Sequence, residues 1–256
     1  MKVLALDTSN RPLSVAAVED QQILANLTTT VHRRHSGDLL PIIARLISSA
    51  GWQPQDLDRV VVASGPGSYT GIRIACTTAK VLAFTLGIKL VSVSSLRTLA
   101  LNVRAEEGAL VDPVFDARNN NVYTGLYQIK NQQPVSVIKD QHVSIPNWIK
   151  QLQAINAPII GVGDADHFRK SFQRARGDQF HLISGLDNLP QAAELGIFGE
   201  NQKPVKNIDH FIPNYLRLTR AQADWWKRHP DASKDPQAYV DMYQAKVKSK
   251  KFFDQK

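Results

Sequence analysis

Gly65-Pro66-Gly67-Ser68-Tyr69-Thr70-Gly71-Ile72-Arg73 is the stretch of this sequence best suited to hold a ligand. It lies between the valine-rich Arg59–Ala63 and an apolar helical segment, so the chain turns from strand to helix through glycines. In such a turn the N–H groups at the helix start point outward and favour an anion. Ser68, Thr70 and Arg73 would add donors. The same glycines equally suit a tight turn with helix packed close on strand, and both readings stand on the residues alone. The spacing G-x-G-x-x-x-G is neither a Walker loop nor the dinucleotide fingerprint. Asp7, in the polar turn Asp7-Thr8-Ser9-Asn10, is the second candidate. An acid closing a first strand either holds a metal–phosphate or caps its own turn.

Other chemistry-bearing groups are sparse. His32 and His35 are spaced H-x-x-H with Asp38 nearby, but no cysteine or third imidazole is in reach, so they read as solvated or capping residues and not as metal ligands. Cys76, the single cysteine, excludes an internal disulfide and sits in an apolar helix, where a thiol is usually a small buried hydrophobe. No G-x-S-x-G, H-E-x-x-H or paired-carboxylate signature is present, so no protease or other hydrolase machinery is legible.

These residues must be positioned by an α/β scaffold. Strands are expected at Val3–Leu6, Leu13–Val18, Ile23–Val31 and Arg59–Ala63, and helices at Ser36–Ala50, with Ser36 as N-cap, and Ile72–Leu86. The second half follows the same order. Strands are expected at Leu110–Asp116, Val122–Gln128, Val135–Ile138, Ile159–Val162 and Phe180–Ile183, with helices at Ile145–Ala154, Ala165–Arg174 and Gln191–Glu200. An acid closes the first strand of each half, Asp7 and Asp116, although the halves share negligible sequence similarity. The order predicts two βββαβα lobes, 1–104 and 105–218, with a helical extension at 219–256. That extension has a capping box, Thr219 to Gln222, and a second helix from Asp235-Pro236 to about Val247.

The helices at 36–50 and 72–86 carry more apolar surface than one sheet face needs, which predicts deep burial or a helix–helix interface. The interface reading assigns Leu39, Ile42, Ile43, Leu46, Ile72, Cys76, Ala79 and Phe84 to a partner surface. Of the formal net charge of +8, more than half sits in residues 217–256, which hold ten basic and five acidic side chains. The body is therefore no nucleic-acid surface by charge, and the tail reads as a solvated end or a contact for RNA phosphates. The N-terminus lacks the long apolar run of a signal peptide and no run reaches the length of a membrane span, which predicts a cytoplasmic protein without membrane contact.

Several segments together resemble the TsaB (YeaZ) family. They are Leu4-Ala5-Leu6-Asp7-Thr8-Ser9, the His35-Ser36 to Leu40-Pro41 junction, the glycine segment 65–73, Val93-Ser94-Ser95-Leu96, Asp116-Ala117-Arg118 with Val122-Tyr123, Gly161-Val162-Gly163 and Pro213-Asn214-Tyr215-Leu216-Arg217. The resemblance covers residues 1–127 well and 158–217 thinly. It implies a two-lobed actin/hexokinase-like (ASKHA, ribonuclease-H-like) fold and a non-catalytic scaffold. Its partner would be the catalytic TsaD subunit, which places a threonylcarbamoyl group on N6 of adenosine 37 in tRNAs reading ANN codons. The TsaE ATPase would join them, and tRNA would be the substrate of the complex. Pairing would use the two apolar first-lobe helices, which also suit a homodimer. Ser95 and Leu99 stand where the catalytic sister has a metal-binding H-x-x-x-H, so the resemblance implies no metal and no cofactor bound by this chain alone, with ATP or ADP only at the complex interface. Asp7, Ser68, Thr70 and Arg73 are then candidates for an anion or nucleotide contact. The alternatives are an ATP-binding phosphotransferase or ATPase using Asp7, and an RNA-binding module driven by the tail.

Overall fold

The computed structural model describes residues 1–31, 35–217, 225–226 and 228–229. The first lobe runs β1 (Lys2–Asp7), β2 (Leu13–Glu19), β3 (Gln22–Thr29), α1 (His35–Ser49), β4 (Arg59–Ala63), α2 (Tyr69–Leu86), β5 (Lys89–Val93) and α3 (Ser95–Leu101). The second runs β6 (Leu110–Asp116), β7 (Asn121–Lys130), β8 (Gln133–Ser144), α4 (Ile145–Gln153), β9 (Ile159–Gly163), α5 (Arg169–Arg176), β10 (Phe180–Leu182) and α6 (Ala192–Glu200). The sheet orders are β3-β2-β1-β4-β5 and β8-β7-β6-β9-β10, the same order twice. In each, the first strand pairs antiparallel with the second and parallel with the fourth. The duplicated actin/hexokinase-like architecture follows from this repetition.

Strand composition explains the layers. Every residue from Val3 to Asp7 is buried, because both faces of the first sheet are covered. Leu4, Leu6, Val15, Val60 and Val62 pack with α1 and α2, and the alternate residues Val3, Ala5, Ala16, Val61 and Val91 pack with α6. The closing helices of the lobes are exchanged. Leu96, Leu99 and Ala100 of α3 pack on Val111, Phe115 and Val162 of the second sheet, whereas Ala192, Leu195 and Phe198 of α6 pack on the first.

Three expectations change. The sequence reading assigns no element between Gly87 and Leu110, where the structure has β5 and α3. β5 is only five residues long, and α3 is buried nearly all round, so neither shows a period. Helix α1 starts at His35, so Ser36 lies inside it, and it continues through Pro41. Residues 192–216, expected in the second lobe, complete the first. Beyond α6 the Val205 N–H donates to Leu90 O at 2.8 Å, Lys80 Nζ to Asp209 O at 2.6 Å and the Asn214 N–H to Ser64 O at 2.8 Å. The reason is that the inner face of the first sheet has no covering helix from its own half.

Residues 1–216 form one compact unit and 217–256 a second. The helices expected at 219–226 and 235–247 lie outside the described residues, apart from Trp225 and Trp226, which are helical. Among the described residues no helix is long and apolar enough to cross a membrane.

Candidate functional site

The glycine segment resolves toward close packing. It folds against the turn that follows β1: the Ser68 N–H donates to Ser9 O at 2.7 Å and Thr8 Oγ1 donates to Gly71 O at 2.6 Å. A Cβ on Gly67 would lie 2.1 Å from Ser9 O, and one on Gly71 2.0 Å from Thr8 O, so only glycine permits the contact. Ser68 is the N-cap of α2 and accepts from the Gly71 N–H at 3.3 Å. Arg73 leans back on Tyr69, with Nη1 2.9 Å from its hydroxyl, and Tyr69 in turn stands 5.0 Å from the Tyr215 ring. Pro213-Asn214-Tyr215 thus belongs to the same surface as the glycine segment.

Asp7 is 1% exposed. Its Oδ1 accepts from the Ser9 N–H at 2.7 Å and its Oδ2 has no partner, so burial pushes its pKa up to about 6. A carboxylate in that setting caps its own turn through Oδ1. Ser68, Thr70 and Arg73 are on the surface, whereas Asp7 is buried. In the second lobe Asp116 makes the matching turn, and Asp164 ties the two turns together. Its Oδ2 accepts from Asn10 Nδ2 at 3.3 Å and from the Asp116 N–H at 2.9 Å.

The other glycine turns are packed from within. The Asn188 side chain accepts from the Gly163 N–H at 2.6 Å and donates to Gly163 O at 2.9 Å. The ring of Phe180 occupies the space beside Gly161, 2.6 Å from where a Cβ would stand. Ser95 Oγ accepts from the Gly65 N–H at 2.9 Å, and the Leu99 side chain fills the space over Gly163. Among the described residues there is no group of three or more His, Cys, Asp and Glu side chains placed to hold a metal ion. His32 lies outside the described residues.

The partner-surface candidates divide. Leu39, Ile43, Leu46, Cys76 and Ala79 belong to the first lobe's own core, and Ile72 is also buried. The Cys76 thiol is pushed up to about 12 by burial and by the Asp7 charge, which makes it inert. Ile42 is half-buried, and Phe84 is 70% exposed. Leu40 at 57% and Val81 at 56% exposure are the apolar residues that sequence reasoning missed. On α2 the exposed positions Arg73, Thr77, Val81 and Phe84 follow helical spacing, a stripe that the all-round apolarity of the segment conceals. Asn188 was equally hidden, since it lies in a loop with no motif.

Two lobes of one topology with exchanged closing helices make this a protein of the actin/hexokinase-like fold. The family model of TsaD, tRNA N6-adenosine threonylcarbamoyltransferase, matches residues 22–225. The TsaB protein of Bacillus subtilis is 38% identical over 226 residues, covering 88% of this chain and 98% of that one. Its Escherichia coli counterpart is 28% identical, covering 90% and 99%. Among solved structures, YeaZ from Pseudomonas aeruginosa superimposes with a TM-score of 0.71 at 27% identity, covering 84% of this chain and 99% of that one. The chain belongs to the TsaB (YeaZ) family, the tRNA threonylcarbamoyladenosine biosynthesis proteins.

Proposed function

We propose that this chain is a non-catalytic accessory subunit in the formation of threonylcarbamoyladenosine at position 37 of tRNAs reading ANN codons. It pairs with a TsaD-type catalytic subunit through the outer faces of α1 and α2, helps recruit the TsaE ATPase, and works in the cytoplasm on tRNA held by the assembly. The observation that carries this reading is the exposed apolar set Leu40, Val81 and Phe84 on two helices that pack side by side. Exposed apolar side chains of this size mark an interaction site, and aromatic anchors dominate such interfaces. The engagement of Asp7, Gly163 and Ser95 by neighbouring groups supports the non-catalytic part. The same helical face serves a second copy of the chain when the catalytic subunit is absent.

Reconstitution tests the reading. Threonylcarbamoyladenosine in tRNA is quantified by mass spectrometry with the cognate partner enzymes, with and without this chain. Modification that requires the chain is the expected result, and equal modification without it sinks the proposal. Phosphate transfer by the isolated chain, lost in Asp7→Asn, would instead establish a phosphotransferase.

A further inference from the structure

Beside the crossing of α3 and α6 the two lobes border a cleft of about 330 Å³. Arg97 of α3 reaches into it. Arg97 is two residues from both Ser95 and Leu99, hence about 200° round the helix from the face that closes on Gly65 and Gly163. The cleft is therefore separate from the contacts that Ser95 and Leu99 make with Gly65 and Gly163. Its size falls at the lower end of small-molecule sites.

Donors and acceptors around this cleft do not balance. The Arg97 guanidinium stands 5.9 Å from the Tyr127 ring and 5.7 Å from the Phe198 ring, both of which are buried and held in place by the core. Ring contacts of this kind orient the cation without engaging its in-plane N–H donors. Among the described residues nothing accepts from those donors, and the ammonium of Lys139 across the cleft is likewise unpartnered. Among the described residues, the one acid in the walls is turned to hydroxyls. Asp140 accepts from the hydroxyls of Ser94 and Tyr127, at 2.5 Å each. The Ser136 hydroxyl donates to Ile138 O at 3.2 Å and that of Ser92 to Ser64 Oγ at 2.8 Å. What remains unengaged among the described residues is a planar guanidinium fork, preorganised by two rings, and a lysine within the same walls.

We propose that this cleft binds a small ligand through an oxyanion, a carboxylate or a phosphate, received edge-on by Arg97 with Lys139 as the second cation. Guanidinium and oxyanion match in a two-point geometry that a lysine cannot reproduce. Arg97 on α3 and Lys139 on β8 both belong to the layers of the second sheet, while Phe198 on α6 belongs to the first, so the site lies where the two lobes meet. The inference is independent of the pairing proposed for α1 and α2, and it is tested on the chain alone.

The test follows backbone amide shifts of the isotope-labelled full chain during titration with inorganic phosphate and, separately, with acetate, against sodium chloride at matched ionic strength. The expected result is a saturable shift at Arg97, Lys139 and their neighbours with at least one oxyanion and none with chloride. Affinity should fall about tenfold or more in Arg97→Gln, less in Arg97→Lys and several-fold in Lys139→Gln. Response to phosphate alone or acetate alone identifies the oxyanion. If Arg97→Gln does not fold, Lys139→Gln carries the test, since that side chain is exposed. Absence of a saturable shift with both probes, or unchanged binding in the folded variants, overturns the proposal.

Discussion

Asp7 and Asp116 end the first strands of their lobes in the same turn, each carboxylate accepting the amide of the residue two further on, Ser9 or Arg118, at 2.7 Å. The internal symmetry thus reaches side-chain detail. The surroundings differ, because Asp7 is buried under the start of α2 whereas Asp116 is exposed and lies 3.7 Å from His167. One acid is buried and the other is exposed.

Stability should depend on pH through the buried acids. Asp112 is fully buried, accepts from Thr124 Oγ1 at 2.6 Å and Trp148 Nε1 at 3.0 Å, and burial pushes its pKa up to about 7. Asp7 is raised to about 6 for the same reason. Raised carboxyls bind protons more tightly in the folded state, so their contribution is complete below pH 4 and is lost as pH rises through about 6 and 7. The maximum slope is about 1.4 kcal/mol per pH unit per group. Urea unfolding between pH 4 and 8 should show a flatter profile in Asp112→Asn than in the parent, since an amide still accepts from Trp148 while the Thr124 hydroxyl turns to accept from it. An unchanged profile would show that Asp112 does not titrate in this range.

Asn188 is expected to hold the Gly163 turn closed. Asn188→Ala removes both side-chain bonds to a buried backbone and should cost about 1–3 kcal/mol in urea unfolding. A loss below about 0.5 kcal/mol would mean that water replaces the amide.

Gly37 and Gly71 should respond with opposite signs to alanine. A Cβ on Gly71 would stand 2.0 Å from Thr8 O, whereas one on Gly37 meets nothing within 4 Å. Gly71→Ala should destabilise by about 1–3 kcal/mol or more through forced backbone shifts. Gly37→Ala, inside α1, should stabilise by about 0.4–1 kcal/mol. Thermal unfolding of the two variants side by side decides the matter.

Substitutions on α2 should separate pairing from folding. Phe84→Glu changes an exposed side chain, so unfolding should shift by no more than about 0.5 kcal/mol, while association with the catalytic partner weakens by about 2 kcal/mol. Ala79→Glu places an unpaired carboxylate in the first-lobe core and should cost about 3–5 kcal/mol of stability. Calorimetry of association together with circular dichroism distinguishes the two. Full pairing by a folded Phe84→Glu chain would move the interface elsewhere.

Much of the architecture was legible from residue order. Runs such as Val3–Leu6 and Arg59–Ala63 report strands because both faces are buried, and Gly87 marks the end of α2 because its φ of 68° suits a left-handed cap. Two acids closing equivalent strands announced the duplication. The glycine segment announced a special turn, and its residue types left two uses open. The choice came from contact with Thr8 and Ser9, about sixty residues away in the chain.

By itself the sequence determined the local states of the backbone, the repeated order of the lobes and membership in the TsaB family, because periodicity, caps and motifs are local properties. Only the tertiary structure decided which apolar residues are core and which are surface. Ala79 and Phe84 share one apolar helix, and what covers each depends on the sheet and on neighbours distant in sequence. The same holds for the exchanged α3 and α6, the seal of Asn188 on Gly163, and Arg97 between two rings from different lobes. Each of these is a long-range pairing, and long-range pairing leaves no spacing for a sequence to display.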